Sequence, residues 1–258
     1  FFTDLLQLLR NPSFLPLFVG AVLVLVGQGV SLTLNLHAFR YFWGLPTTLI
    51  QLPLLVLPLG MLLGTLAAGL LLKKVEKRNG VVGAVALLGV YQILATMPVA
   101  ADVVAPGSPF SIGLVAVSGL LFGACGAFCF VCFYSMIADA VDEHDHLFGV
   151  RREALYAAAL MIGAKAATGL GAFIAGVGLQ LVGFAAPPEG SGPEAVPHDI
   201  STAVGLLWGP GAAIIVLASL PFLSRYKIDR LRHEQILTSL AERRIEAEST
   251  TFTAAAKA

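Results

Sequence analysis

The amino-acid sequence predicts an all-α membrane protein, a bundle of six transmembrane helices. Hydrophobic residues make up 57% of the 258 residues and charged residues only 12%, whereas ordinary soluble domains carry roughly 25% charged residues. The apolar residues also fall into six blocks, each near the roughly 20 residues that a helix needs to cross the hydrocarbon core. A transmembrane barrel would instead show strands of about ten residues that alternate between apolar and polar, and this alternation is missing from the sequence.

The six blocks define a predicted transmembrane domain over residues 1–225. Prolines in the first two blocks, such as Pro16, Pro53 and Pro58, predict kinks rather than breaks, because neighbouring helices can satisfy the freed backbone groups. The third block is the shortest. The predicted spans are, in order, about 14–36, 49–72, 81–99, 112–137, 154–182 and 203–223.

The chain after the last block, residues 226–258, is predicted to be a cytoplasmic tail that is partly helical. Five apolar residues recur there at helical spacing, and glutamate and arginine fill the other side of the predicted helix. These apolar residues are Ile228, Leu231, Ile236, Leu237 and Leu240.

The basic residues predict which side of a cell membrane each loop faces, because Lys and Arg concentrate in cytoplasmic loops. If six spans alternate, all but Arg40 and Lys165 fall on one side, so both ends of this segment should be cytoplasmic. We interpret the cluster at 73–78 as a topological anchor that also contacts anionic membrane lipid. The basic residues on this side are Arg10, Lys73, Lys74, Lys77, Arg78, Arg151, Arg152, Arg225, Lys227, Arg230, Arg232, Arg243, Arg244 and Lys257.

Small residues in the second and fourth blocks predict close contacts between helices, since helix backbones in membranes approach each other where side chains are small. Three cysteines in the fourth block lie at helical spacing without further ligands nearby, so we interpret them as packing residues rather than a zinc site. The residues concerned are Gly60, Gly64, Gly119, Gly123 and Gly126, and Cys125, Cys129 and Cys132.

The fifth block is apolar or small at nearly every position but contains Lys165. A basic residue at mid-membrane costs about 2.5–3.5 kcal/mol, so it is rarely kept without a partner or a wet cavity. The other five blocks hold no acidic residue at comparable depth, and within one helical turn only Thr168 offers a hydroxyl. Two interpretations remain open: a structural salt bridge inside the bundle, or a charge that competes with a coupling ion or lines a substrate path.

The end of the fourth block carries the sequence ADAVDEHDHLFGVRRE. Asp139 and Asp142 are three residues apart and share a helix face, and Arg151 and Arg152 follow beyond Gly149, where the chain can turn. Such acids and arginines can form ion pairs between helix ends that break when the helices tilt. The alternative is a solvated loop. The alternating His and Asp residues of this stretch are weak evidence for metal ligands, and we expect no metal site.

The sequence also argues against two classes of function. It contains no pattern typical of a nucleophile with its base, a phosphate-binding glycine loop or paired catalytic carboxylates, so we expect neither an enzyme nor a cofactor. Its basic residues form short clusters, several interleaved with acids, rather than one face that could bind nucleic acid.

Several of these motifs resemble one family. ADAVDEHDHLFGVRREALY, the following span with Lys165 near its centre, and LVGF resemble the cytoplasmic loop and eleventh helix of the glycoside-pentoside-hexuronide cation symporters, the melibiose-permease branch of the major facilitator superfamily. LLRNPSFLPLFVG and YKIDRLRHEQILTSLAERR are similar to the start of helix seven and the cytoplasmic end of that group. The resemblance covers nearly the whole chain. It implies one half of a major facilitator fold, helices seven to twelve, with a partner half of six further helices.

The resemblance also implies roles for particular residues. In that family the lysine that corresponds to Lys165 faces intramembrane carboxylates of the first half, at a site for sodium, lithium or protons beside the sugar site. The general mechanism is alternating access, in which two halves rock about a mid-membrane site. The implied cytoplasmic gate residues are Asp139, Asp142, Arg151, Arg152 and Glu153.

The side chains expected around the solute differ from those of the sugar-transporting members of this family. Sugar-transporting members have polar side chains before the lysine and a tryptophan near the end of helix ten, whereas this chain has Leu160, Met161 and Tyr134 there. Tyr134 can still stack on a ligand or donate a hydrogen bond. We expect sodium- or proton-coupled symport of a sugar or related small solute. The alternatives are a lysolipid or other amphipathic solute, or a half-carrier that acts as a membrane scaffold without transport of its own.

Overall fold

The structure of the protein, a computed structural model, describes residues 8, 10–188 and 192–255. The remaining residues, at the start of the predicted transmembrane domain, in its last loop and at the end of the predicted tail, lie outside the described residues. The described part is helical without strands and confirms the predicted six-helix membrane bundle. Within these described ranges, six segments are long and apolar enough to cross a membrane: Phe14–Phe42, Leu52–Leu71, Lys77–Ala100, Pro109–Phe148, Glu153–Leu181 and His198–Leu223.

The first five spans are single helices, and the sixth is interrupted. A π-helical turn, Ala38–Phe42, extends the first helix, and another, Leu207–Gly211, lies within the sixth span. We number the α-helices α1 (Phe14–His37), α2 (Leu52–Leu71), α3 (Lys77–Ala100), α4 (Pro109–Phe148), α5 (Glu153–Leu181), α6 (His198–Leu206), α7 (Ala212–Leu217), α8 (Leu220–Leu223) and α9 (Arg230–Ala255).

Helix α4 projects well beyond the membrane. It begins where the Ser108 side chain accepts a hydrogen bond from the Ser111 backbone N–H, and it ends at Gly149, whose φ of 73° is left-handed. Its 40 residues span about 60 Å, because each residue adds about 1.5 Å. This is about twice the thickness of the hydrocarbon core. The acidic stretch that begins at Asp139 therefore continues the helix, and the chain turns only at Gly149.

Helices α2 and α4 pack with their backbones in contact. A Cβ atom at any of four glycines would collide with a backbone carbonyl oxygen of the facing helix. The predicted close contacts are confirmed at these positions, whereas Gly126 faces only the Gln28 side-chain amide. The four pairs are Gly60 with Leu120, Gly64 with Ala124, Gly119 with Pro53, and Gly123 with Leu57.

The tail helix α9 packs beneath the end of the bundle where α1 and α3 begin and α2 ends. We call this the basic end. Ile236 and Leu240 are buried there, but Leu231 and Leu237 are exposed. Fewer of the apolar residues of α9 are buried than the sequence pattern predicts, because α9 packs mainly against one element, the end of α4.

Candidate functional site

Lys165 lies on a face of α5 that the rest of the bundle leaves open. The opposite face packs on α1, where Gly163 approaches Phe18 and Gly171 approaches Gly29. Lys165 and Thr168 are exposed. Within the described part of the chain the Lys165 ammonium forms neither an ion pair nor a hydrogen bond. The Thr168 hydroxyl donates to the Ala164 carbonyl at 2.9 Å, so its oxygen can still accept a hydrogen bond.

Tyr134 lies on α4, and about half of its side chain is exposed. Its ring packs on Phe130, with 4.5 Å between the ring centroids and 46° between the planes. Its hydroxyl makes no hydrogen bond with any described residue. Tyr134 therefore presents both an aromatic face and a free hydroxyl to whatever covers this side of α4.

A groove of about 310 Å³ lies beside the aromatic pair, between α1, α2 and α4. Gln28 of α1 lines it together with Thr65 and Phe130. Gln28 is half-buried and makes no hydrogen bond within the described residues. Sequence reasoning missed Gln28, although an amide within the first apolar block was an available signal. Open faces of three helices thus carry polar groups: an amide on α1, a phenol on α4, and a hydroxyl and an ammonium on α5.

At the basic end, Asp139 of α4 is the centre of an ion-pair network. Its side chain is 6% exposed, and the Lys77 Nζ lies 2.6 Å from Oδ2 and 2.9 Å from Oδ1. Tyr226 donates its hydroxyl to the Met136 carbonyl at 2.9 Å and lies 3.5 Å from Asp139 Oδ2. Burial, with the nearby negative charge of Asp139, raises the pKa of Tyr226. Asp139 is therefore paired with a cation and lies beside a neutral hydroxyl.

Asp142, one turn further along α4, connects the network to the turn before α5. Its Oδ1 accepts from Arg151 Nη1 at 2.7 Å, and its Oδ2 lies 3.2 Å from His233 Nε2. Arg151 also lies 3.5 Å from Glu153. Desolvation disfavours the charge of Arg151, but hydrogen bonds and charges from Asp142 and Glu153 outweigh it and raise its pKa. Arg152 is exposed beside them.

The tail helix α9 contributes two further side chains to the network. Arg232 Nη2 lies 2.7 Å from Glu143 Oε1, and the Glu143 side chain is only 1% exposed. His233 lies between Asp142 and Asp139, 3.5 Å from the latter. Removing the cationic partner of a buried carboxylate is strongly destabilising, because the remaining charge then has neither a counter-charge nor water. These contacts fix α9 to the end of α4.

A separate chain of hydrogen bonds holds the start of α1 against α4 and α5. Asn11 donates to the Tyr156 hydroxyl at 3.0 Å and to the Ala140 carbonyl at 3.1 Å. Tyr156 in turn lies 3.2 Å from His144 Nδ1. All three side chains are fully buried. A tilt of α1 against α4 would break these bonds.

The described residues contain no group of three His, Cys, Asp or Glu side chains arranged to hold a metal ion. His146 of the acidic stretch lies 2.7 Å from the Ser239 hydroxyl of α9. Cys125, Cys129 and Cys132 are buried free thiols in α4, in agreement with their interpretation as packing residues.

The sequence pattern of one protein family matches this chain over residues 1–230, and that family is described as MFS/sugar transport protein. The chain belongs to this family. The match confirms the resemblance to the major facilitator superfamily. No individually curated protein is significantly similar in sequence. With its six spans, this member of the family is a multi-pass membrane protein, and the family is one of solute transporters.

In this MFS protein, the structure places the residues predicted from sequence in two groups. Lys165, Thr168 and Tyr134 lie on open faces within the spans, and no hydrogen bond joins them. Asp139, Asp142, Arg151 and Glu153 come together at the basic end, and Arg152 lies beside them.

Sequence reasoning missed several partners of the network at the basic end. Lys77 was grouped with its neighbours as an anchor, although it pairs with Asp139 across 62 residues. Arg232 counts in the sequence only as one of the arginines on the polar side of the tail, and His233 is not singled out there. The charge of Lys77 at the start of a helix and the adjacent Arg232 and His233 are visible in the sequence, but the sequence does not indicate which residues they pair with.

Proposed function

We propose that this chain is half of a carrier for sodium- or proton-coupled symport of a sugar or related small solute by alternating access. The ammonium of Lys165 near the middle of α5, exposed and without a partner among the described residues, carries this proposal. A cation within a membrane span needs a counter-charge or water. We infer that carboxylates within the spans of a partner half of six helices supply the counter-charge. A coupling cation that binds the same carboxylates competes with Lys165.

The solute is proposed to lie between the two halves, against the open faces of α1, α4 and α5. Tyr134 offers stacking and a hydroxyl, and Gln28 offers an amide that can both donate and accept. Thr168 adds an acceptor one helical turn from Lys165. Binding sites of this kind combine a largely apolar wall with a few placed polar groups, and sugar hydroxyls suit these polar groups.

A second candidate solute is a lysolipid or a similar amphipathic molecule. Met161 and Ile162, one turn before Lys165, are 64% and 69% exposed. An apolar wall beside a single ammonium suits an acyl chain that carries an anionic or zwitterionic head group. The two candidates differ in one testable respect, because only a sugar would depend on Gln28 and Thr168.

The network at the basic end is proposed to act as the gate on the cytoplasmic side of a cell membrane. The basic residues of the chain support this orientation, because they concentrate at this end. Asp142 and Arg151 lie on either side of the turn between α4 and α5, so their ion pair depends on the relative tilt of these helices. The pair with Lys77 adds α3 to the same unit. Closing and opening would make and break the exposed pairs, while the buried pair of Asp139 keeps α3 and α4 together.

The proposal is tested by Lys165→Ala in the complete protein, reconstituted in vesicles with an imposed sodium or proton gradient. We expect solute uptake that no longer responds to the gradient or changes its ion selectivity. Lys73→Ala is the matched control, because it removes a lysine outside the spans and should leave coupling intact. Unchanged coupling and ion selectivity in Lys165→Ala would exclude the proposed role of this lysine.

A further inference from the structure

A large cavity at the basic end lies apart from the proposed gate. It has a volume of about 610 Å³ and lies between the start of α1, the start of α3 and the loop between α8 and α9. This is within the range of sites that bind small molecules. The gate network does not use its lining residues, apart from Tyr226. The cavity therefore calls for a separate explanation.

The charge of this cavity has one sign. Arg10, Arg78, Arg225 and Lys227 line it, and no acidic side chain is among the described residues of its lining. The guanidinium of Arg78 is held in place by a hydrogen bond from Nη1 to the Tyr226 carbonyl at 3.2 Å. Four cations around one cavity repel each other, and an anion bound between them would offset this repulsion. A phosphate group fits this requirement, because guanidinium groups bind phosphate oxygens with paired hydrogen bonds.

The rim of the cavity adds an apolar component. Leu15 and Pro16, at the start of the first span, line it together with Pro12, and Leu15 is 40% exposed. Arg225 lies over the Phe222 ring, 5.9 Å from its centroid, at the end of the sixth span. The cations thus lie where two apolar spans end, at the level of lipid head groups. A soluble phosphate would make no use of the apolar rim, whereas a lipid fills both parts.

We propose that this cavity binds the phosphate head group of an anionic membrane lipid, with the acyl chains lying along the start of α1. Basic pockets between helices at the cytoplasmic side are suited to such head groups. The site would hold α1, α3 and the end of the sixth span together at their basic ends. Lys73 and Lys74 are equally basic but line no part of this cavity, so they provide a matched comparison.

The experiment is a lipid titration of the complete protein in detergent, with bound lipids counted by native mass spectrometry. Phosphatidylglycerol is the anionic probe and phosphatidylcholine the zwitterionic one. We compare the wild type with the double variants Arg225→Ala/Lys227→Ala and Lys73→Ala/Lys74→Ala, which remove the same charge. In uncharged detergent only the cations that line the cavity contact the bound head group, and if each contributes roughly fivefold to the affinity, the first variant should lose an order of magnitude or more. The second should lose far less.

A charge-conserving variant, Arg225→Lys, separates loss of charge from loss of folding and should keep most of the preference for phosphatidylglycerol. Equal losses in both double variants would show general surface attraction and overturn the proposal, as would no loss in either. Inorganic phosphate provides the last comparison. If it displaces phosphatidylglycerol at equal concentration, the ligand is a soluble phosphate and the lipid assignment is wrong.

Discussion

Replacing Gly64 with alanine should force α2 and α4 apart. An ideal Cβ at this position would lie 2.7 Å from the Ala124 carbonyl carbon and 2.8 Å from its Cα, whereas carbon atoms pack at about 3.5–4.0 Å. Backbone atoms cannot rotate away as a side chain does, so the helices must separate by about 1 Å. Overpacking of this kind costs about 1–3 kcal/mol.

Gly69 of the same helix provides the control, because a Cβ there meets no atom within 4 Å. Alanine gains about 1 kcal/mol of helix propensity over glycine at either position, so this contribution cancels in the comparison. The free energy of unfolding of Gly64→Ala should thus be about 1–3 kcal/mol below that of Gly69→Ala. Titration with sodium dodecyl sulfate, followed by tryptophan fluorescence, measures this difference. Equal stability of the two variants would refute the backbone packing of α2 on α4.

Two further predictions concern the basic end. A double-mutant cycle with Lys77→Ala and Asp139→Asn should give a coupling energy of about 1–3 kcal/mol in the same unfolding assay, since Asp139 is buried and Lys77 partly exposed; additive effects would mean that the pair contributes nothing. Charge reversal at Arg151 and Arg152 should slow uptake by the complete protein, and combining Arg151→Asp with Asp142→Arg should recover part of it. Normal uptake with both arginines reversed would contradict the gate assignment.

The spans and the glycine contacts were predictable because each depends on a local pattern. Long apolar blocks show where helices cross, and Gly60 and Gly64 are spaced one turn apart on the same face. The extent of α4 was less predictable. Its sequence becomes polar after about residue 137, but the helix continues to Phe148 because its end packs against α9 and binds Lys77 and Arg232.

The interruption of the sixth span had only Pro210 as a local sign. In the structure, the π-helical turn leaves the Trp208 carbonyl oxygen to accept from the Ser31 hydroxyl and from Gln92 Nε2, both at 3.1 Å. The Trp208 indole donates to Asn35 at 2.7 Å. These partners come from α1 and α3, so they depend on the tertiary arrangement and have no signature in the sequence of the sixth span itself.

Lys165 shows the opposite relation between sequence and structure. The other five apolar blocks hold no acidic residue at comparable depth, so the sequence already predicts that these spans supply no partner for it. The structure adds the direction in which the side chain lies, away from α1 and towards the open face of α5. Since no described residue balances this charge, the proposed function assigns the counter-charge to carboxylates of a partner half.

The most direct test of the proposed function is uptake by the complete protein in vesicles, with labelled sugars and lysolipids, with and without an inward sodium or proton gradient. We expect one solute class to accumulate above its outside concentration only when a gradient is present, because the cation and the solute cross together. Accumulation that is the same with and without either gradient would contradict cation coupling. If the inserted, folded protein moves none of these solutes, the sugar and lysolipid assignments both fail, and a scaffold without transport becomes the better account of this chain.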